Sequence, residues 1–409
     1  MRALRGMTVW QVICAGMALR VIWALVIPVE PVSDSFAYDT FARNIWQHGV
    51  YGWTPDNPSA YWAVGTSAIV AATYAVLGDT YLGVVALNLL ASLVTLVLTW
   101  RVGRIFFGDQ AAFWATVIVA FWPNLIFFTS VLSSELYFIA MVLAGTYFWV
   151  RPEGNRWVNL LICGVIWGLA CYLRPVVLLY PAALVIAALS QGLRETGIAV
   201  IKGGVAIAMI LLIVSPWTMR NEAVLGKAYT VSSNFGPNLW MGNNPDSTGG
   251  YMPLPPETKE MTEVEREEYL GKLAKAYIRE DIPRFVRESL GRIVTLHNRE
   301  TIGVVWNEAQ LTARIGETGI RLTKALATGY WFVLLALALA GLAVLLARLH
   351  LGALFHPVFG SWAYFTAVHA IIVVEDRYHM PSSPFIALLA GVSVAWLVAT
   401  FGSNKRQTQ

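Results

Sequence analysis

Apolar runs of roughly 20 residues, the length a helix needs to cross the hydrocarbon core of a bilayer, return along most of this chain. They cover residues 8–28, 80–100, 111–129, 131–150, 157–173, 176–191, 198–217, 327–348, 353–374 and 382–402. Barrel strands would be about half as long and would alternate in polarity. Only 13% of residues are charged and the mean hydropathy is +0.57, whereas soluble domains carry roughly 25% charged residues. The expectation is therefore an all-α polytopic membrane protein with about ten transmembrane helices. The first run lacks a small-residue cleavage site and contains Arg20, so it reads as a retained span and not a removable signal. No internal repeat or low-complexity linker divides the chain.

Orientation follows from the basic residues. The segment 61–79 is apolar enough to cross, but a crossing there would put Arg101 and Arg104 outside. Laid along the surface as a juxtamembrane helix, it returns both to the cytoplasm, as the positive-inside rule prefers. The same parity puts Arg2, Arg5, Arg151, Arg156, Arg194, Arg348, Lys405 and Arg406 inside, with both termini cytoplasmic. Three divisions result: a membrane module 1–217 with a first outer loop 29–79, an external cap 218–326, and C-terminal spans 327–409. The cap opens on the turn-rich "NFGPNLWMGNNPDSTGGYMPLPP" and continues as a charged amphipathic helix, "ETKEMTEVEREEYLGKLAKAYIRE". Asp281 and Pro283 interrupt it, and a second helix is expected from there to about His297. The net charge of +4 is small and gives no warrant for a nucleic-acid partner. Cys14, Cys163 and Cys171 lie in apolar runs, where a thiol acts as a small hydrophobe. His48, His297 and His379 show no metal-ligand spacing.

The outer face collects the informative polar groups. In "PVSDSFAYDTFARNIWQHGVYG", residues 31–52, the apolar positions Tyr38, Phe41, Ala42, Ile45 and Trp46 recur at helical spacing, with Asp39 on the polar face. Ser33, Asp34 and Ser35 open this helix, so each is a candidate N-cap. Glu135 lies about one turn into the span that returns from outside, where an ionisable group is costly and a functional candidate. Arg174 lies in an outer turn, Arg220 where a span leaves the membrane, and Glu375, Asp376, Arg377, Tyr378 and His379 in a further outer turn. Each has a plainer reading: an ion pair for Glu135, snorkelling for Arg174 and Arg220, a mutual pair for Asp376 and Arg377, and a buried pair for Arg20. Together they suit one chemistry. Arginines hold a phosphate carried on a lipid, and a carboxylate takes the proton of an attacking hydroxyl.

The stretches "SDSFAYDTFARNIWQHGVY", "NPSAYW", "SSELYFIAMVLAGTYFW", "YLRP", "PWTMRNEAVLGKAYTVSSNFGPNLWMGNNP" and "EDRYHMPSSP" follow one another as landmarks of the bacterial GT-C glycosyltransferases. The chain resembles the branch that holds protein O-mannosyltransferases and lipid A aminoarabinose transferases. That resemblance implies a GT-C fold in the bacterial cytoplasmic membrane, with chemistry at its outer face. The donor it implies is a polyprenyl-phosphate-linked sugar and the acceptor a glycan, lipid or protein hydroxyl. Asp34 matches the family's presumed base, Glu135 its second acidic position, and Arg174, Arg220 and Arg377 its basic residues near the donor phosphate. Tyr38, Asp39, Tyr61, Asn243 and Tyr378 are the further candidate substrate contacts. Ser35 stands where the mannosyltransferases carry a second acid, which speaks against mannosyl transfer. With no large segment after the last span, 218–326 is the expected acceptor-facing cap.

The reading is a transferase without an obligatory cofactor. Two carboxylates could hold a divalent cation, but the arginines already supply that charge. Two alternatives stay open: a ligase or polymerase of lipid-linked oligosaccharides, and a transporter or flippase of an anionic lipid or sugar, which would favour inverted repeats and broken spans.

Overall fold

The computed structural model describes residues 7–404. Arg2, Arg5, Lys405 and Arg406, expected at the cytoplasmic ends, lie outside the described residues. The chain begins with α1 (Val9–Val26), opened by a capping box between Thr8 and Gln11. The first outer loop then folds as α2 (Asp34–His48), a short hairpin of β1 (Gly52–Thr54) and β2 (Asn57–Pro58), and α3 (Gly65–Leu77). At 13 residues, α3 is about 20 Å long, too short for a core roughly 30 Å thick. It fits the surface-lying helix expected there.

Next comes α4 (Leu82–Ala120), which is two helices. Gly108 adopts φ 79° and ψ 178°, and a Cβ on Gly103 would come within 2.8 Å of Ala112 Cβ. Nine residues of continuous helix would separate those positions by about 13 Å, so the chain doubles back at Gly108. Arg104 ties the turn with a 2.6 Å ion pair to Asp109. The expected spans 80–100 and 111–129 are thus an antiparallel hairpin. After α5 (Pro123–Phe127), α6 (Glu135–Val150) leaves at a bend of 120°. Then follow α7 (Arg156–Cys171), α8 (Tyr180–Ala187) and α9 (Leu193–Leu225). The last runs past the expected end at 217 to a left-handed Gly226, φ 73°, which places Arg220 within the helix.

The cap holds α10 (Phe235–Gly242), α11 (Glu263–Glu280), α12 (Ile282–His297) and α13 (Ile302–Val305). Asp281 separates α11 from α12 by accepting from Arg284 N at 2.8 Å, an N-cap. Next, α14 (Glu308–Leu349) breaks at Gly316, φ 63°. Lys324 Nζ reaches Glu308 Oε2 at 2.9 Å across sixteen positions, so 308–315 folds back on the span that follows. The chain closes with α15 (Pro357–Ile371) and α16 (Ser383–Asn404).

The expected crossings fall on helical segments of very unequal length, from the 42 residues of the broken α14 to the 8 of α8. Among the described residues, five helices are fit to cross by length and hydropathy, with the broken α4 and α14 each taken as one, or six if the bent pair of 123–130 and 135–150 is one span. The centre of the bundle is α16 against α4 and α14, closed by small residues. A Cβ on Gly341 would lie 1.9 Å from Leu389 O, and one on Gly391 2.3 Å from Ala111 O, so backbone touches backbone there. Arg20, 1% exposed, pairs with no acid among the described residues. It donates to the carbonyls of Ala120 at 2.8 Å and Val119 at 2.9 Å, where the second half of α4 ends and leaves carbonyls without helical partners.

Two polar joints seat the cap. Glu263, at the start of α11, accepts from Ser59 Oγ at 2.6 Å, Ala60 N at 2.8 Å and Ser233 Oγ at 2.6 Å, pinning the cap to the first outer loop. Buried Arg292 of α12 donates to Ala370 O at 2.6 Å, Asn243 Oδ1 at 3.0 Å and Gly242 O, joining α12 to α10 and α15.

Candidate active site

Four charged side chains from four distant parts of the chain meet where the first outer loop, α6, the α7–α8 turn and the α15–α16 turn converge. Asp34 is the first residue of α2, where the helix dipole favours an acid. The residue before it, Ser33, has φ 53° and makes no side-chain cap. Asp34 itself turns outward, and its Oδ2 accepts from Arg377 Nη2 at 2.5 Å. The plain capping role is therefore not the one Asp34 fills.

Glu135 opens α6 just past the bend, 1% exposed. Its Oε1 accepts from Arg174 Nη2 and, at 3.5 Å, from Arg377 Nη1. Its Oε2 is buried and unpartnered, as is Arg377 Nε. Arg174 precedes Pro175, which forces an extended backbone, φ −149° and ψ 115°. That conformation turns its side chain back onto α6, where Nε donates to Ser134 Oγ at 2.9 Å. Arg377 sits in a 3-10 turn, Asp376–Ser382. Its neighbour Asp376 fixes the turn by accepting from Thr301 N at 2.8 Å and Thr301 Oγ1 at 3.0 Å. The guanidinium lies 4.6 Å from the ring centre of Trp306. Two acids and two arginines leave the cluster formally neutral and held by charge-assisted hydrogen bonds.

Phenols surround it. Tyr38, Tyr61 and Tyr378 make no side-chain hydrogen bond among the described residues, and the Tyr378 ring lies 5.6 Å from Arg174 and 5.3 Å from Arg377. Burial and the Asp34 charge push the Tyr61 phenol up to about 12 and raise that of Tyr38 well above its usual value. All three are neutral donors at physiological pH.

The other sequence candidates lie elsewhere. Asp39 faces away and is held by Tyr74 Oη, Tyr81 Oη at 3.2 Å and Arg43 Nε at 3.0 Å. Arg220 is spent on backbone, donating to Ser59 O at 2.7 Å and Tyr51 O at 3.1 Å. Asn243 is fully buried in the joint with Arg292 and donates to Ile371 O at 2.8 Å. Sequence reasoning missed Ser134 and Trp306, which touch the cluster, and a buried network beneath it. There Glu300 accepts from Trp122 Nε1 at 2.8 Å and meets His379 Nε2 at 3.0 Å, and burial raises its carboxyl above the usual range. No group of three or more His, Cys, Asp or Glu among the described residues is arranged to hold a metal ion.

Residues 62–219 match the family model described as dolichyl-phosphate-mannose-protein mannosyltransferase, a segment that includes Glu135 and Arg174. No curated protein matches the chain in sequence. Among solved structures, the apo oligosaccharyltransferase of Archaeoglobus fulgidus is similar over 98% of this chain, with TM-score 0.57 and 11% identity. The chain spans about half of that protein, 51% of its length. The same archaeal enzyme, AglB, in complex with an inhibitory peptide and a dolichol-phosphate gives TM-score 0.56 at 10% identity, over 99% of this chain and 52% of that one. A weaker likeness, TM-score 0.46 at 15% identity, covers 95% of the chain and 78% of ArnT from Cupriavidus metallidurans bound to undecaprenyl phosphate. The chain thus shares an all-helical membrane fold with the archaeal oligosaccharyltransferase, and its central segment matches the mannosyltransferase family model.

Proposed function

We propose that the chain transfers a sugar from a polyprenyl-phosphate-linked donor to a hydroxyl acceptor at the outer face of the cytoplasmic membrane. The observation that carries this reading is the Asp34–Arg377–Glu135–Arg174 cluster, two acids and two arginines assembled beside apolar helices. The archaeal neighbour in complex with a dolichol-phosphate supports a lipid phosphate as the group bound on this fold.

The donor phosphate docks on Arg174 and Arg377 and competes with the carboxylates they now hold. Asp34, 26% exposed at its side chain, is the more accessible partner and is released from Arg377 as the phosphate takes its place. The acceptor oxygen then attacks the anomeric carbon. As that bond forms, the bond from carbon to phosphate oxygen breaks, polyprenyl phosphate leaves, and the acceptor proton passes to Asp34. Guanidinium groups neutralise the charge growing on the leaving phosphate. A single displacement inverts the anomeric centre. Glu135 keeps the arginines in place, and Tyr38, Tyr61 and Tyr378 offer hydroxyls to the sugar. Arg220, Asn243 and Asp39 hold the first outer loop and the cap in shape.

The test is turnover of a panel of radiolabelled polyprenyl-phosphate sugars by purified protein in detergent, with an envelope fraction as acceptor. Asp34→Asn is expected to bind donor and transfer nothing, and Arg174→Ala to bind donor weakly. Transfer that persists in Asp34→Asn rejects it as the base. A wild type that turns over no donor but moves labelled lipid across vesicles overturns the transferase reading.

A further inference from the structure

Helix α12 was expected to lie outside the membrane with the rest of the cap, yet one side of it is aliphatic and bare. Ile282, Val286, Leu290 and Val294 succeed one another at four-residue spacing and are 52%, 49%, 58% and 66% exposed. The opposite side is occupied: Arg292 and Leu296 are buried.

Contacts fix the depth of this helix. At its middle, Arg292 Nε donates to Ala370 O, one residue before the end of α15. At its C-terminal end, His297 Nε2 accepts from Trp362 Nε1 at 3.1 Å, and His297 O accepts from Trp331 Nε1 at 2.8 Å. Ala370 and Trp362 are eight residues apart on α15, about 12 Å along its axis. Trp331 is already inside the apolar run of α14, a helix long and apolar enough to cross a membrane, and Phe332 and Val333 beside it are exposed. α12 therefore descends alongside α15, and Leu290 and Val294 come down to the level of Phe332 and Val333 on α14, which are 50% and 62% exposed.

We infer that α12 is a bilayer-inserted helix of the cap, whose Ile282–Val286–Leu290–Val294 stripe is covered by acyl chains of the outer leaflet. The apolar stripe continues onto the exterior of α14, which must itself face lipid, so one occupant covers both. Arg287, exposed nearer the outer end, stands at the headgroup level, where a long cationic side chain reaches phosphate. The contact bears on the site as well. Leu296 O is 3.2 Å from His379 Nδ1, and His379 lies two residues beyond Arg377 on the same turn. The lipid that seats α12 thereby seats the turn that presents this arginine. The inference does not depend on which reaction the cluster performs.

The experiment is site-directed spin labelling of the full chain in phosphatidylethanolamine–phosphatidylglycerol vesicles. It uses a Cys14→Ala background, since Cys14 is the exposed thiol while Cys163 and Cys171 are buried. Nitroxides are attached singly through Leu290→Cys, Val294→Cys and, as a water-facing control on α11, Lys275→Cys. Molecular oxygen is expected to relax the labels at 290 and 294 severalfold more effectively than a water-soluble nickel chelate, with the order reversed at 275. Relaxation of 290 and 294 chiefly by the nickel chelate puts the stripe in water and overturns the inference. So do immobilised labels that neither agent reaches and that broaden one another, the signature of a second copy seated on the stripe. Both labelled positions are already exposed, so the variants retain the fold, and activity plays no part in the readout.

Discussion

Glu135→Gln separates the electrostatic role proposed for the cluster from simple scaffolding. Glu135 shares one oxygen between Arg174 and Arg377, the latter at 3.5 Å, while its second oxygen is buried without a partner. Glutamine keeps the shape and one acceptor but removes the charge, so the four-residue cluster goes from neutral to a net charge of one positive. A lipid phosphate on the same two guanidinium groups, taken at one unit of negative charge, would stand about 5 Å from the Glu135 carboxylate, and at an effective dielectric near 20 two unit charges repel there by about 3 kcal/mol. Rearrangement of water and counterions leaves about 1–2 kcal/mol of that, or roughly 5–30-fold in affinity. The variant should therefore bind polyprenyl phosphate about 5–30-fold more tightly in equilibrium titrations in detergent, with the gain shrinking as salt rises. Without ligand it should unfold at a lower temperature, because buried Arg377 and partly buried Arg174 then share one acid, and ligand should raise its midpoint more than that of the wild type. Turnover should fall, since a tighter hold on the phosphate without its geometric partner favours the ground state. Unchanged or weaker binding of polyprenyl phosphate would refute the argument, because Glu135 would then not face the phosphate.

Three other outcomes follow from particular contacts. Glu263→Ala removes the acceptor of two hydrogen bonds from the first outer loop and one from Ser233 within the cap; a loss of about 2–4 kcal/mol is expected, seen as faster hydrogen exchange over 51–62 and the start of α11. Arg20→Leu leaves the Val119 and Ala120 carbonyls unpaired, and the thermal midpoint in detergent should fall by the equivalent of about 2–4 kcal/mol; an unchanged midpoint would mean that water replaces the side chain. His297 has its value lowered from 6.5 to about 4 by burial, so between those values the unfolded chain binds a proton that the folded chain does not. Stability from this residue is then full above about pH 6.5 and declines toward pH 4, and the difference in thermal midpoint between wild type and His297→Gln should shrink over that window.

The helical character of the chain was legible because its apolar runs are long, and the Gly108 hairpin falls between two of them, but the runs 111–129 and 176–191 each break into shorter pieces. Charge parity argued against a crossing at α3, and its 13 residues are short for one. Asp34 and Asp39 show where a sequence argument has to be completed by geometry. Five residues on a helix turn through 500°, which leaves the two acids about 140° apart: one reaches Arg377 and the other Tyr74. Arg220 and Asn243 look like ligand-binding residues in the sequence, but their partners are mostly backbone carbonyls, which every residue supplies and no motif marks. Trp306 lies under Arg377 through a contact between distant loops, and Ser134 was hidden among several serines. The fold-back at Gly316 and the descent of α12 depend on tertiary contacts that local periodicity does not encode.

The backbone contacts of Gly341 and Gly391 have a mechanical consequence. Where α14 and α4 press on α16 with no side chain between them, sliding one helix past another would require whole turns of main chain to part, so these three elements translate and tilt as one slab. Under the proposed function the protein must nevertheless admit a long lipid and release it after every cycle. The compliance for that has to lie outside the slab, in the outer elements held by a few polar clasps at Glu263 and Arg292. Substitutions that soften the clasps would then speed or slow the exchange of substrate and product, while enlarging either glycine would stop the protein from assembling at all.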